Sequence, residues 1–263
     1  MPRINPKDEP IIEVRDLVAG YDTRVILEDI NFSVARGERL VICGGSGCGK
    51  TTLLRQIIGL QRPIAGSVRI AGEEITRASE TELRRMQQKF GVSFQSGALF
   101  GSLTLGENVA LPLEEHSRLG PEMIESLVRM KLSMVNLDGF QDFMIAELSG
   151  GMKKRAALAR AIALDPAVVF FDEPSAGLDP VTSVELDELI VQISESLGMT
   201  IVAVSHELAS IFTIADRVIM LDGPAKTIIA SGTPTELRDS HPDPRVHAFF
   251  NRQPIESSAA QEH

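Results

Sequence analysis

The chain contains no apolar run approaching the roughly 18 to 20 residues that a bilayer span requires. Its opening stretch, Met1 to Pro10, carries prolines and charges and no apolar core, which excludes a secretory signal. Cysteine occurs only twice, as Cys43 and Cys48. That pair with no further ligand spells neither a disulfide framework nor a metal site. Basic residues are in deficit: 26 Lys and Arg stand against 36 Asp and Glu, a formal net charge of −10. Such a balance argues against a general nucleic-acid binder, which needs a basic footprint. Two local basic runs, Arg84-Arg85 and Lys153-Lys154-Arg155, read as solvated helix faces. There is no internal repeat, no sustained heptad and no Asn-Lys-x-Asp guanine motif. What remains is an ordinary globular composition, and 263 residues are enough for one large α/β domain or two modest ones, each with a real core.

Residues 44 to 51 read Gly44-Gly45-Ser46-Gly47-Cys48-Gly49-Lys50-Thr51, a complete Gly-x-x-x-x-Gly-Lys-[Ser/Thr] phosphate loop. The apolar Leu40-Val41-Ile42-Cys43 precedes it and the helix-like run Thr52 to Ile58 follows. Glycines let backbone N–H groups converge on phosphate oxygens, and the following helix adds free N–H groups and a positive dipole end. Lys50 then neutralises the β- and γ-phosphates while the Thr51 hydroxyl ligates Mg²⁺. The motif in this strand-loop-helix context predicts a nucleoside triphosphate site. Cys43 reads as a small buried residue at a strand end. Cys48, near a helix N-terminus where thiolate is favoured, is expected to be alkylatable.

The pattern along the chain alternates between strand and helix periods. Ile11 to Val14 and Ile30 to Val34 read as short strands, and Ser67 to Ile70 as a hairpin strand ending in Ala71-Gly72. Gly91 to Phe94 is a further short strand. Helical character begins near Ser102; Gly120-Pro121 opens a helix with Met123, Ile124, Leu127 and Val128 on one face. Leu148 to Ala163 is a long Ala-rich run. Val168 to Phe171 and Thr200 to Val204 are continuous apolar runs, as in strands buried on both faces. Leu186, Leu189, Ile190, Ile193 and Leu197 share helical spacing between them. Arg217 to Leu221 and Thr227 to Ala230 add two strands, Thr233 to Arg238 a last helix, and Pro242, Pro244 and Pro254 a loose tail. Of that tail, Phe249 and Phe250 are expected to dock.

Two motifs give this α/β pattern its chemistry. Val168 to Phe171 ends in Asp172-Glu173, where Asp172 can hold a Mg²⁺ shell and Glu173 can polarise an attacking water. Leu148-Ser149-Gly150-Gly151-Met152 places a hydroxyl and two glycines at a helix start, either an ordinary Ser cap or a second anion site. Together with the phosphate loop these residues resemble the ATP-binding subunits of ABC transporters, over roughly residues 11 to 235.

The resemblance implies a P-loop ABC ATPase core with an antiparallel β subdomain and a helical signature subdomain inserted at about 102–163. Residues 236–263 would be a C-terminal extension. It implies ATP and Mg²⁺, with the metal at Thr51, Gln95 and Asp172. Ser149, Gly150 and Gly151 would complete the phosphate site of a second copy, so that two chains sandwich two ATPs head to tail; Met152 stands in place of the usual Gln. Gln95 matches the Q-loop glutamine, Ser175-Ala176-Gly177-Leu178-Asp179 the loop that communicates across the dimer, and His206 the switch histidine. Tyr21, the only tyrosine, fits the aromatic that stacks on adenine. Glu173, His206, Gln95 and Lys50 would carry the catalysis.

A narrower likeness lies in Phe94-Gln95-Ser96-Gly97-Ala98-Leu99-Phe100, in Glu107-Asn108-Val109-Ala110-Leu111-Pro112-Leu113 and in the Met-ended signature. These resemble the ATPase subunit of bacterial phospholipid transporters of the Mla type. That resemblance implies multi-span permease subunits, an MCE-domain lipid-binding protein, and a peripheral seat at the cytoplasmic face of the inner membrane. The alternatives are the ATPase of a small-molecule, amino-acid-type importer and a soluble ABC ATPase.

Overall fold

A computed structural model describes residues 9–21 and 23–253. The expected absence of a signal over Met1 to Asp8, and the tail from Pro254 onward, fall outside the described residues.

Two sheets organise the molecule. The first is antiparallel, in the order β2-β1-β4-β5, from β1 (Ile12–Tyr21), β2 (Arg24–Val34), β4 (Ala65–Ile70) and β5 (Glu73–Glu74). The β1–β2 pair runs well beyond the short strands predicted, because the polar residues between them sit at bulges. Register shifts fall on either side of Leu17, and Asp16 and Asp29 take positive φ of 46° and 53°. A bulge breaks the two-residue alternation by which a strand is recognised.

The second sheet has the order β10-β9-β3-β8-β7-β6. It comprises β3 (Arg39–Gly44), β6 (Phe90–Ser93), β7 (Val168–Asp172), β8 (Thr200–Val204), β9 (Arg217–Asp222) and β10 (Thr227–Gly232). All its pairings are parallel except β9 with β10. Every residue of β7 and β8 is buried, which explains their unbroken apolar character. Successive side chains point to opposite faces. Val41, Cys43, Val169 and Phe171 thus face one core, and Leu40, Ile42, Val168 and Phe170 the other. Each such Val or Phe contributes about 2 kcal/mol by burial.

On one face lie α1 (Lys50–Ile57) and the antiparallel sheet. α2 (Glu80–Gln87), which no apolar periodicity announces, starts at a capping box between Ser79 and Glu82. The other face carries α3 (Leu105–His116), α4 (Pro121–Met134), α5 (Gly150–Ala161), α6 (Pro180–Leu197) and α7 (Leu208–Ile214). The buried side of α4 is Val128, Lys131 and Leu132, whereas Met123 is exposed. Lys131 survives burial because its ammonium pairs with Asp165. No helix among the described residues is long and apolar enough to cross a membrane.

The residue 235/236 boundary falls inside α8 (Pro234–Asp239). α9 (Pro244–Phe250) follows and packs on the same core through Val246 and Phe250. Phe250 stands edge-on to Phe212 of α7 at 6.2 Å, while Phe249 is only partly buried.

Candidate functional site

The phosphate loop bridges the end of β3 and the start of α1. Gly44 has φ 145°, and a Cβ there would lie 2.4 Å from the Leu221 carbonyl oxygen, so no side chain fits. Lys50 opens α1 and is buried, its Nζ donating to the carbonyls of Gly44 at 2.9 Å and Gly45 at 3.0 Å. The loop thus curls around its own lysine, while Gly45, Ser46 and Gly47 remain exposed.

Thr51, one residue on, donates its hydroxyl to Asp172 Oδ1 at 3.2 Å. Burial pushes the Asp172 carboxyl up from its ordinary range; the Thr51 hydroxyl pulls it down and the Glu173 charge adds to the rise. Glu173 leaves β7 in the left-handed region, with φ 53°. A non-glycine residue held there stores roughly 1 to 3 kcal/mol of strain. The turn aims the carboxylate at His206, whose Nδ1 lies 2.7 Å from Glu173 Oε1.

A cleft of about 370 Å³ is lined by Ser46, Gly47, Gly49, Lys50, Thr51, Thr52, Gln95, Glu173 and His206, with Ile26 at its edge. The fold therefore brings Ser46, Gly47, Gly49, Lys50, Thr51 and Thr52 together with Gln95, Glu173 and His206 from four separate segments, whereas Gly44, Gly45 and Cys48 do not line the cleft. Asp172 sits just behind them, at the Thr51 hydroxyl.

Other expected residues lie elsewhere. Ser149, Gly150, Gly151 and Asp179 do not line this cleft. Ser149 caps α5 by accepting from the Met152 N–H at 3.2 Å, and its neighbour Gly150 is exposed. Asp179 caps α6, accepting from the N–H groups of Val181 and Thr182, each at 3.1 Å. With the Thr182 hydroxyl as its main donor, its carboxyl is held below the ordinary range. Tyr21 borders the adjoining hollow, its hydroxyl 3.3 Å from Thr52 Oγ1 and the residue 44% exposed.

The expected reactivity of Cys48 does not survive. Its side chain is buried beneath the loop, and burial pushes the thiol up against the downward pull of Lys50. Helix-start thiolates need solvent as well as a dipole, and here the loop covers the sulfur. Cys43 is fully buried at the end of β3 as expected.

Two features escaped the sequence. Lys154, within the run read as a solvated face, reaches across to the carbonyls of Gln95 and Glu173. Behind the site, Ser175, Asp187 and Ser210 form a buried cluster, the two hydroxyls 2.8 Å apart. Asp187 Oδ1 has no hydrogen-bond partner.

Burial lifts the Asp187 carboxyl from 3.8 to about 6, although both serines lower it. The folded chain therefore holds a proton that the unfolded chain releases between those values, so stability falls as pH rises through this window. Asp187→Asn removes the penalty. It should raise stability by up to about 3 kcal/mol near neutral pH and change little at the acid end of the window. Urea unfolding across that pH range checks it; a pH-independent difference would place the effect in packing.

A phosphate loop, an Asp-Glu strand end and a histidine beside the glutamate, set on this pair of sheets, define an ATP-binding cassette. The chain belongs to the ABC transporter family, which matches residues 27–176. Its activity is ATP hydrolysis coupled to transport. It is 42% identical to the intermembrane phospholipid transport system ATP-binding protein MlaF of Escherichia coli K12, over 92% of this chain and 88% of that one. It is 39% identical to the probable ribonucleotide transport ATP-binding protein mkl of Mycobacterium tuberculosis H37Rv, over 97% of this chain and 71% of that protein. A dimeric ATP-binding cassette solved in a post-hydrolysis state with ADP and Pi shares the fold. Its TM-score is 0.76 at 28% identity, covering 84% of this chain and 98% of that one.

Proposed function

We propose that this chain is the ATPase motor of a transporter moving phospholipids between bacterial membranes. In this reading it works as a head-to-tail pair held at the cytoplasmic face of the inner membrane by multi-span permease subunits, with an MCE-domain lipid-binding protein beyond them. The observation that carries it is the 42% identity over nearly the whole chain to a relative named for intermembrane phospholipid transport.

The site residues take roles consistent with their geometry. Lys50 and the N–H groups of the loop hold the phosphates of ATP, and Glu173 accepts a proton from the attacking water. His206, hydrogen-bonded to Glu173, orients that carboxylate. Oxygen donors fit Mg²⁺: the Thr51 hydroxyl and the Asp172 carboxylate already face one another, and Gln95 lines the same cleft. Bound there, the ion would neutralise charge building on the phosphates. Ser149, Gly150, Gly151 and Asp179, lying away from this cleft, are assigned to the site of the second copy, and Tyr21 to the adenine.

The relative named for ribonucleotide transport supports a second reading, small-molecule transport by the same motor. Affinity purification from native membranes in mild detergent, with mass spectrometry of protein and lipid, decides between them. A permease with an MCE-domain protein and phospholipid is expected. A permease with a soluble solute receptor would move the assignment to solute import, and the absence of any membrane partner would sink both.

A further inference from the structure

The catalytic glutamate's strained backbone needs restraint, and the structure shows what supplies it. Glu173 N–H donates to the Val204 carbonyl at 3.0 Å, which holds one side of the residue to β8. On the other side its carbonyl accepts from Lys154 Nζ at 3.3 Å and from the Ala176 N–H at 3.3 Å. The same ammonium donates to the Gln95 carbonyl at 2.7 Å. One cation from the signature helix thus ties together the backbones of two residues that line the cleft.

Lys154 forms no ion pair among the described residues, although Glu173, Asp172 and Glu207 are near enough to act on its charge. Its neighbour Arg155, by contrast, makes an ordinary pair with Glu185 at 2.8 Å.

The tether belongs to a seam along one face of α5. Lys154, Ala157 and Arg160 recur at three-residue spacing, the helical repeat that puts them in line. Arg160 donates to the carbonyls of Ala98 at 2.8 Å and Gly97 at 2.9 Å, and a Cβ on Gly97 would lie 3.5 Å from that of Ala157. At the end of α5 the seam closes on bare backbone, since a Cβ on Gly91 would sit 2.0 Å from the Ala161 carbonyl oxygen. Residues 91 to 98 are therefore carried by α5.

We infer that Lys154 is a positioning residue that locks Gln95 and Glu173 to the signature helix, so that movement of the helical region resets both together. This rests on the assignment of Glu173 and Gln95 made above. Both acceptors are neutral backbone carbonyls, so the contacts call for two N–H donors and not for a countercharge.

The experiment compares steady-state ATP hydrolysis by the full chain with that of Lys154→Met, Lys154→Gln and Glu173→Gln. Methionine matches the stem but donates nothing, and should lower kcat by about ten- to a hundredfold, the size expected of a small misplacement. KM for ATP should stay within about twofold, because no phosphate contact is lost. The glutamine amide should restore most of kcat. An unchanged kcat in Lys154→Met overturns the proposal, as does an equal loss in Lys154→Gln or a rise in KM that accounts for the defect. If the Met variant does not fold, Lys154→Ala, which adds no bulk, repeats the test against Lys154→Gln. Normal turnover by Glu173→Gln would instead remove the assignment on which the proposal rests. Loss in that variant with none in Lys154→Met would leave the assignment standing and the tether refuted.

Discussion

Glu173→Gln binds ATP and hydrolyses it at least a hundredfold more slowly, so that ATP-bound dimers accumulate. The substitution keeps the shape of a side chain that is buried at the exit of β7 and bonded to His206. It removes only the ability to take a proton, and a positioned general base contributes typically about 10²- to 10⁴-fold. Lys50 and Thr51 are untouched, so affinity for ATP is retained. Single-turnover hydrolysis alongside size-exclusion chromatography in ATP reads both halves of the expectation. Wild-type turnover would strip Glu173 of the base role and direct attention to His206. Loss of ATP binding would show that the variant had disturbed the strained turn instead of the chemistry.

Lys50→Ala fails at the earlier step. Its ammonium is held at the centre of the loop by the carbonyls of Gly44 and Gly45. A phosphate chain entering the cleft meets that charge directly. A charge-assisted hydrogen bond is worth roughly 1.5 to 3 kcal/mol, which corresponds to a rise in Kd for ATP of about ten- to a hundredfold. Equilibrium binding of a fluorescent ATP analogue measures it. Unchanged affinity would mean that the loop N–H groups suffice and that Lys50 serves only to shape the loop. The two variants separate cleanly: one binds without turning over, the other scarcely binds.

Asp187 shows the cost of a buried charge in the same region. Its unpartnered oxygen and raised pKa mark it as a site where stability can be regained by a neutral side chain.

How much of this was legible in the chain follows from the range of each interaction. The phosphate loop is a run of eight residues whose N–H groups act together because they are neighbours. Its glycines, lysine and threonine could therefore be read directly. The buried strands β7 and β8 were equally plain, since burial on both faces leaves no polar position. β1 and β2 were only half visible, because their bulges at Asp16 and Asp29 interrupt the alternation. α2 was missed although Ser79 and Glu82 carry its capping signal, for its first-turn and last-turn charges mask any apolar face.

The candidate site divides in the same way. Sequence alone determined that the chain holds a phosphate loop, an Asp-Glu strand end and a histidine after a second buried strand. Each of those is a local pattern with a local physical reason. Only the tertiary structure decided that Glu173 sits in a left-handed turn against His206, that Cys48 is sealed beneath the loop, and that Phe250 docks fully while Phe249 packs against the same core half-buried. It also decided that Lys154, 59 positions from Gln95, turns inward from a run of charges to hold two carbonyls. A basic residue carries no mark of which carbonyls it will meet. That is settled when α5 packs along β6 and brings its seam over the cleft.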